Sequence, residues 1–218
     1  MINHSAIVIK IADHVKNKFA HDASGHDWWH IYRVWMVALR IAAHENADQE
    51  VVSLGALLHD IADHKFHDGD SSVGPRVAHD ILFEMGADAK LIQQVVAIVE
   101  EVTFKGAGVA TPVSSIEAAC VQDADRLDAI GAMGIARAFS FGGSRNRLMH
   151  DPSSTPQMHA NFDAYKKDTG PTINHFYEKL LLLKDRMQTP FGKTLAEQRH
   201  QVMENYLEQF FAEWEGMR

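Results

Sequence analysis

A chain of 218 residues with 46% hydrophobic and 23% charged residues has the composition of a soluble globular protein, long enough for a substantial core. Its formal net charge of -8 argues against sequence-independent binding to nucleic-acid backbones, although a local cation cluster or a metal ion can reverse the field inside a cleft. No apolar run reaches membrane-span length, the N-terminus lacks a signal-peptide pattern, and the lone Cys120 cannot form an internal disulfide, so a cytoplasmic, reducing setting is expected.

Ile7, Ile11, Val15 and Phe19 recur at helical spacing and predict a first helix from about Asn3 to Ala20. His21 to Gly25 breaks it. A second helix is expected from about Asp27 to His44, with Ile31, Val34, Trp35, Ala38, Leu39 and Ile41 apolar. Asn46, Ala47 and Asp48 read as a turn and cap before a central helix from about Asp48 to Ala62. Val51, Val52, Leu54, Leu57, Leu58 and Ile61 leave that helix almost no polar face, the pattern of a buried helix. It nonetheless carries His59 and Asp60 side by side, with Asp63 following on the same side. A buried carboxylate needs a partner or a metal, so an internal ion pair and a metal site both stand open at this point.

A polar loop, His64 to Asp70, leads to helices expected at about Gly74 to Met85 and Ala87 to Val102, then to a glycine-rich loop from Gly106 to Pro112. Ser114 or Ser115 is expected to cap the next helix, with Glu117 as a capping-box partner. That helix runs through Ile116, Ala118, Ala119, Cys120 and Val121 into Asp123, Asp125 and Asp128. Carboxylates at a helix C-terminus oppose its dipole, which favours ligands over a solvated end. The small apolar stretch Ala129 to Phe141 suits close helix packing. Gly142 to Pro171 is the largest irregular region, and its Arg145, Arg147, Lys166 and Lys167 suit a phosphate-facing lid. Helices at about Thr172 to Lys184 and Phe191 to Trp214 close the chain. With no period-2 alternation and no solenoid repeat, the expectation is an all-α, compact single domain over residues 1–218: a metal-site core at about 20–142, a loop or lid at 142–171 and C-terminal helices at 172–215.

His26 and His30 share a helix face, with Arg33 one turn beyond His30. His30, His59, Asp60 and Asp125 together are two imidazoles and two carboxylates from three helices. Mixed N/O ligation suits Mn, Fe, Co, Ni or Zn better than thiolate-preferring ions. Four protein ligands on an ion that takes six leave positions for water or a phosphoryl oxygen. A bound divalent ion lowers the pKa of its water from about 15.7 to about 7, which is what hydrolysis of a phosphate ester or anhydride needs.

The ordered set His30, His59-Asp60 and Asp125, with His30-Ile31-Tyr32-Arg33-Val34 and Ala124-Asp125-Arg126-Leu127 around its ends, resembles the HD-domain metal-dependent phosphohydrolase superfamily. Gly25 to His30, Val121 to Gly131 and His175 to Leu180 resemble its small stand-alone bacterial branch, so the likeness covers most of the chain. The resemblance implies an all-α bundle in which His30, His59, Asp60 and Asp125 hold one divalent metal, manganese first, with Co, Ni, Fe, Zn or Mg as alternatives. Members of this branch include manganese-dependent enzymes that split nucleoside triphosphates, deoxy forms among them, to monophosphate and pyrophosphate. The implied partner is a small phosphorylated substrate such as a nucleotide, with no extended nucleic acid and no membrane. A non-catalytic nucleotide- or metal-sensing module and a phosphomonoesterase on nucleoside monophosphates are the alternatives.

Two-metal members of the superfamily draw further histidines from the middle helices. Between Asp70 and Gln122 this chain has only His79, and Glu101 there reads as a solvated helix residue, so one ion is expected. Asp63 is a candidate for holding the attacking water or a ligand imidazole; His26 and Asp27 are candidates for acid–base work. Lys65, Arg33 and Arg126 suit phosphate neutralisation, joined by Arg145 and Arg147, although Arg33 or Arg126 can instead pair with Asp123 or Asp128 in the core. The tryptophans read as core, and Cys120 as a small core residue rather than a nucleophile.

Overall fold

Helical periodicity in the sequence becomes helix over most of each expected span: the computed structural model describes residues 4–20, 27–62, 70, 72–102, 111–157 and 170–218, and no strand occurs among them. The α-helices are α1 (Ala6–Lys18), α2 (Trp28–Glu45), α3 (Gln49–Leu58), α4 (Val73–Glu84), α5 (Ala89–Glu101), α6 (Ile116–Asp128), α7 (Gly131–Ser144), α8 (Thr172–Glu178) and α9 (Pro190–Trp214). Two short 3-10 turns, Leu180–Leu182 and Lys184–Arg186, separate α8 from α9. None of these helices is long and apolar enough to cross a membrane. The chain divides into two compact units, one of Met1–Phe104 with Thr111–Asp125, the other of Lys105–Ala110 with Arg126–Arg218.

In the first unit, α3 is the buried centre: every residue from Val51 to Leu58 is buried. It packs on α1, α2 and α5. Gly55 allows the approach to α5, since a Cβ there would stand 2.9 Å from Ile98 Cδ1 and Cγ2. Aspartates start three of the helices by satisfying N–H groups that have no intrahelical acceptor. Asp27 accepts from the His30 N–H at 2.8 Å, Asp48 from Glu50 and Val51 at 2.9 and 3.3 Å, and Asp88 from Leu91 at 2.9 Å.

The central helix is shorter than the periodicity predicts. It ends at Leu58, and residues 59–62 form a turn. The cause is local: the His59 side chain donates from Nδ1 to the Ala56 carbonyl at 2.7 Å, taking the acceptor that the next helical N–H would use. The chain then closes a tighter turn, with the Ile61 N–H on Leu58 O at 3.1 Å. The expected capping box on α6 is also absent. Ser115 Oγ does accept from the Ala118 N–H at 3.0 Å, but the Glu117 carboxylate accepts the Asp48 N–H at 3.1 Å and so ties the start of α6 to the start of α3.

The second unit has its own core of Leu127, Ile130, Ile173, Phe176, Leu180, Leu183, Met187, Leu195, Met203 and Leu207. Phe139, Phe176 and Tyr206 meet there with ring centroids 6.0 Å apart. The helix expected from Thr172 to Lys184 stops at Glu178 and continues as the 3-10 turns. That geometry brings residues three apart to one side, and Leu180 and Leu183 are both buried. α7 runs past Phe141 through Gly142, where a Cβ would collide with the Thr172 hydroxyl at the start of α8. Two arginines cover the end of α6, Arg199 donating to Leu127 O and Arg137 to the Asp128 carboxylate, while Arg126, on α6 itself, donates to Arg186 O. Cations on helix-terminal carbonyls are favourable for the same electrostatic reason that carboxylates there are not.

Candidate metal centre

His30 sits in the first turn of α2, on the face that buries Ile31, Val34 and Trp35, and the Asp27 cap fixes its backbone. His59 and Asp60 occupy the turn that follows α3, and Asp125 lies on α6. All four belong to the first unit. His30 Nε2 is 3.3 Å from His59 Nε2 and 3.3 Å from Asp60 Oδ2, and His59 Nε2 is 3.4 Å from the same oxygen. Asp125 Oδ1 lies 3.6 Å from His30 Nε2 and 3.9 Å from His59 Nε2. Among the described residues, His30, His59 and Asp60 are the one group of three or more His, Cys, Asp or Glu side chains able to converge on a metal ion.

The burial is graded. The two imidazoles are 1% and 2% exposed, whereas the Asp60 and Asp125 carboxylates are 18% and 32% exposed. Nitrogen donors therefore form the closed back of the site and oxygen donors its open side.

The donor set fits a cation. His59 Nδ1 must carry the proton it gives to the Ala56 carbonyl, so a neutral His59 presents its Nε2 lone pair to the centre. A lone pair 3.4 Å from a carboxylate oxygen is repulsive unless a proton or a metal ion shares the space. The His59 pKa reports the same demand. Burial pulls it down, but the charge and hydrogen bond of Asp60, the charge of Asp125 and the Ala56 carbonyl outweigh burial and bring it up to about 9.

The other candidates separate. Asp27 holds the backbone of His30 through one carboxylate oxygen. Arg33 is half-buried on α2, one turn past His30. Arg126 is buried and gives its guanidinium to Arg186 O. Arg145 and Arg147 lie over the Phe141 ring, 5.5 and 5.8 Å from its centroid. His26, Asp63, Lys65, Lys166 and Lys167 lie outside the described residues. Glu101 is not merely solvated: its carboxylate accepts the Ser114 N–H at 2.8 Å, tying the end of α5 to the start of α6. Asp123 and Asp128 are buried rather than a solvated helix end. Trp35 is core, but Trp29 is 61% exposed, so the tryptophans are not uniformly core. Cys120 is buried, and burial with the charges of Asp123, Glu45 and Glu117 pushes its thiol up to about 12, which makes it an inert core residue.

Sequence reasoning misses one group beside the site. Lys18 on α1 donates to the Ile61 carbonyl at 2.8 Å, directly after the His59-Asp60 step. The pair is separated by 43 positions, and nothing in the local sequence of either residue signals it.

Comparison with known proteins matches residues 28–130 to the family described as HD domain, a span that contains His30, His59, Asp60 and Asp125. The Bacillus subtilis protein YpgQ is 36% identical over 196 residues, covering 89% of this chain and 87% of YpgQ. A crystal structure from Lactobacillus plantarum superposes with a TM-score of 0.83 at 36% identity, covering 98% of this chain and 99% of that one. An HD-superfamily hydrolase from Bacillus thuringiensis gives a TM-score of 0.75 at 40% identity, with 96% and 97% covered. YpgQ crystallised in complex with ADP gives 0.75 at 33% identity, with 97% and 100% covered.

Proposed function

This chain belongs to the HD-domain family, a fold of metal-dependent phosphohydrolases, and we propose that it hydrolyses a nucleotide, splitting a ribo- or deoxynucleoside triphosphate to monophosphate and pyrophosphate. The observation that carries this reading is the convergence of His30 Nε2, His59 Nε2 and Asp60 Oδ2 within 3.3 to 3.4 Å of one another, with Asp125 beside them. In this reading those four residues hold one divalent ion, manganese first. The ADP complex of YpgQ supports a nucleotide as the ligand class.

A divalent cation at this set supplies Lewis acidity toward a phosphoryl oxygen and acidifies water near neutral pH. The protein supplies geometry. The Ala56 carbonyl fixes the His59 ring and its tautomer, and the packed first turn of α2 fixes His30. The half-open carboxylate side leaves the phosphate a direction of approach, while the buried imidazole side excludes water. Asp63 is assigned to orienting the attacking water, and His26 and Asp27 to moving its proton. Lys65 and Arg33 are assigned to the developing phosphate charge. Arg126, committed to the Arg186 carbonyl, is left out of that set.

The test is a hydrolysis screen with Mn, Co, Ni, Mg and Zn against nucleoside mono-, di- and triphosphates, with phosphate and pyrophosphate resolved. Pyrophosphate release from triphosphates is the expected result. Metal binding without turnover of any phosphorylated compound would overturn the enzyme reading in favour of a sensing module, and phosphate release confined to monophosphates would replace it with a phosphomonoesterase.

A further inference from the structure

Two of the four proposed ligands, His59 and Asp60, come from a single turn, so any displacement of that turn moves both at once against His30 and Asp125 on other helices. The turn is not held by regular helical bonds beyond Leu58. A helix end leaves its last carbonyls without backbone donors, and side chains or water must satisfy them. Here side chains take two of the carbonyls around the pair: Ala56 O by the Nδ1–H of His59 at 2.7 Å, and Ile61 O by the ammonium of Lys18 at 2.8 Å.

Lys18 is well placed to act as a fixed post. It is the last residue of α1, a helix anchored through buried Val8, Ile11 and Val15. Its Nζ also lies 5.9 Å from the centroid of the Phe19 ring, and Phe19 itself is buried. The ammonium thus has a carbonyl and an aromatic ring as set neighbours. Partial burial lowers its pKa from the ordinary lysine value, which reports lost hydration at this position.

We propose that Lys18 is a positioning residue of the metal centre, its bond to the Ile61 carbonyl holding the turn that carries His59 and Asp60 in place against His30 and Asp125. The inference rests on the metal-centre reading given above. Two effects of the ammonium oppose each other. Its hydrogen bond orders the ligand turn, which favours metal binding, and its charge disfavours a second cation nearby. Their signs differ, so the measurement separates them.

The test is titration of the metal-free protein with Co2+, followed through the visible ligand-field bands. Lys18→Met is expected to weaken Co2+ binding about tenfold or more, the scale of losing a group that orients a ligand, and to alter the bands. Lys18→Arg, which keeps a cationic donor, is expected to restore both. In the metal-free Lys18→Met protein, amide hydrogen exchange across residues 59–62 should accelerate while that of α2 stays unchanged. Equal or tighter Co2+ binding by Lys18→Met with unaltered bands overturns the inference and leaves the metal centre standing. A Lys18→Arg protein indistinguishable from Lys18→Met overturns it too, since a donor at that position would then be irrelevant. A wild-type chain that binds no more Co2+ than His59→Ala overturns the metal-centre reading itself, and this inference with it.

Discussion

The sharpest stability prediction concerns His175 on α8. Burial, followed by the charges of Lys179 and Arg147, lowers its pKa from the ordinary 6.5 to about 3. A histidine whose folded pKa is depressed is neutral in the native state but takes up a proton in the unfolded chain below about pH 6.5. Between the two values the unfolded state binds more protons, so stability falls as pH falls through that window. With folded and unfolded values of about 3 and 6.5, the loss attributable to this one residue is negligible at pH 7 and about 2 kcal/mol at pH 5. The residue keeps some exposed surface, which makes that an upper figure. The assay is urea unfolding of wild type and His175→Gln across pH 5 to 7. The stability difference between them is the quantity to follow, because it cancels groups that titrate in both. Gln cannot be protonated, so its disadvantage should shrink, or turn to an advantage, by about 2 kcal/mol on going from pH 7 to pH 5. A difference that does not change with pH would refute the assignment, and with it the view that this imidazole is held neutral by its surroundings.

Four further outcomes are expected. His59→Ala and Asp125→Ala should each abolish stoichiometric metal binding, read by metal content after dialysis, and full occupancy in either would show the ligand set to be wrong. In the wild type, binding at pH 7.5 should release close to one proton, because His59 stays protonated up to about pH 9 without metal and must be neutral to ligate; calorimetry in two buffers of different ionisation enthalpy measures it. Cys120, buried and with its thiol pushed up to about 12, should resist a thiol reagent in native buffer and react fully in denaturant; rapid native labelling would contradict its burial. Gly55→Ala should cost about 1–2 kcal/mol in urea unfolding, because overpacking against Ile98 outweighs the gain of roughly 1 kcal/mol in helix propensity. Ile98→Ala in the same chain should recover part of that loss through positive coupling, whereas additive costs would deny the contact.

The course of the chain through its helices was largely legible beforehand. Ile11 and Val15 on α1, or Ile31, Val34 and Ala38 on α2, announce a buried face because burial and helical spacing are both local properties of the sequence. The His59-Asp60 step was legible for a related reason: charge inside an apolar helix is costly, so it advertises a partner. His30 and Asp125 joined that step as candidates from other helices, family resemblance implied that the four hold one metal, and the structure brings the four side chains together.

What the sequence did not carry is which distant group each polar atom meets. Glu117 was expected to close its own capping box and instead accepts the Asp48 N–H; Glu101 reads as solvated yet accepts the Ser114 N–H. Arg126 flanks a proposed ligand in sequence and gives its guanidinium to Arg186 O. Even the end of α3 was decided by a side chain, since the imidazole of His59 takes the Ala56 carbonyl that another turn of helix required. Hydrophobic burial is non-directional and scales with area, so a pattern of residue types specifies it. Hydrogen bonds and ion pairs demand particular atoms at about 3 Å, and only the folded chain determines which atoms arrive there. The four proposed ligands could therefore be named from the sequence, whereas the lysine proposed to steady two of them could be found only after folding had carried α1 alongside Ile61.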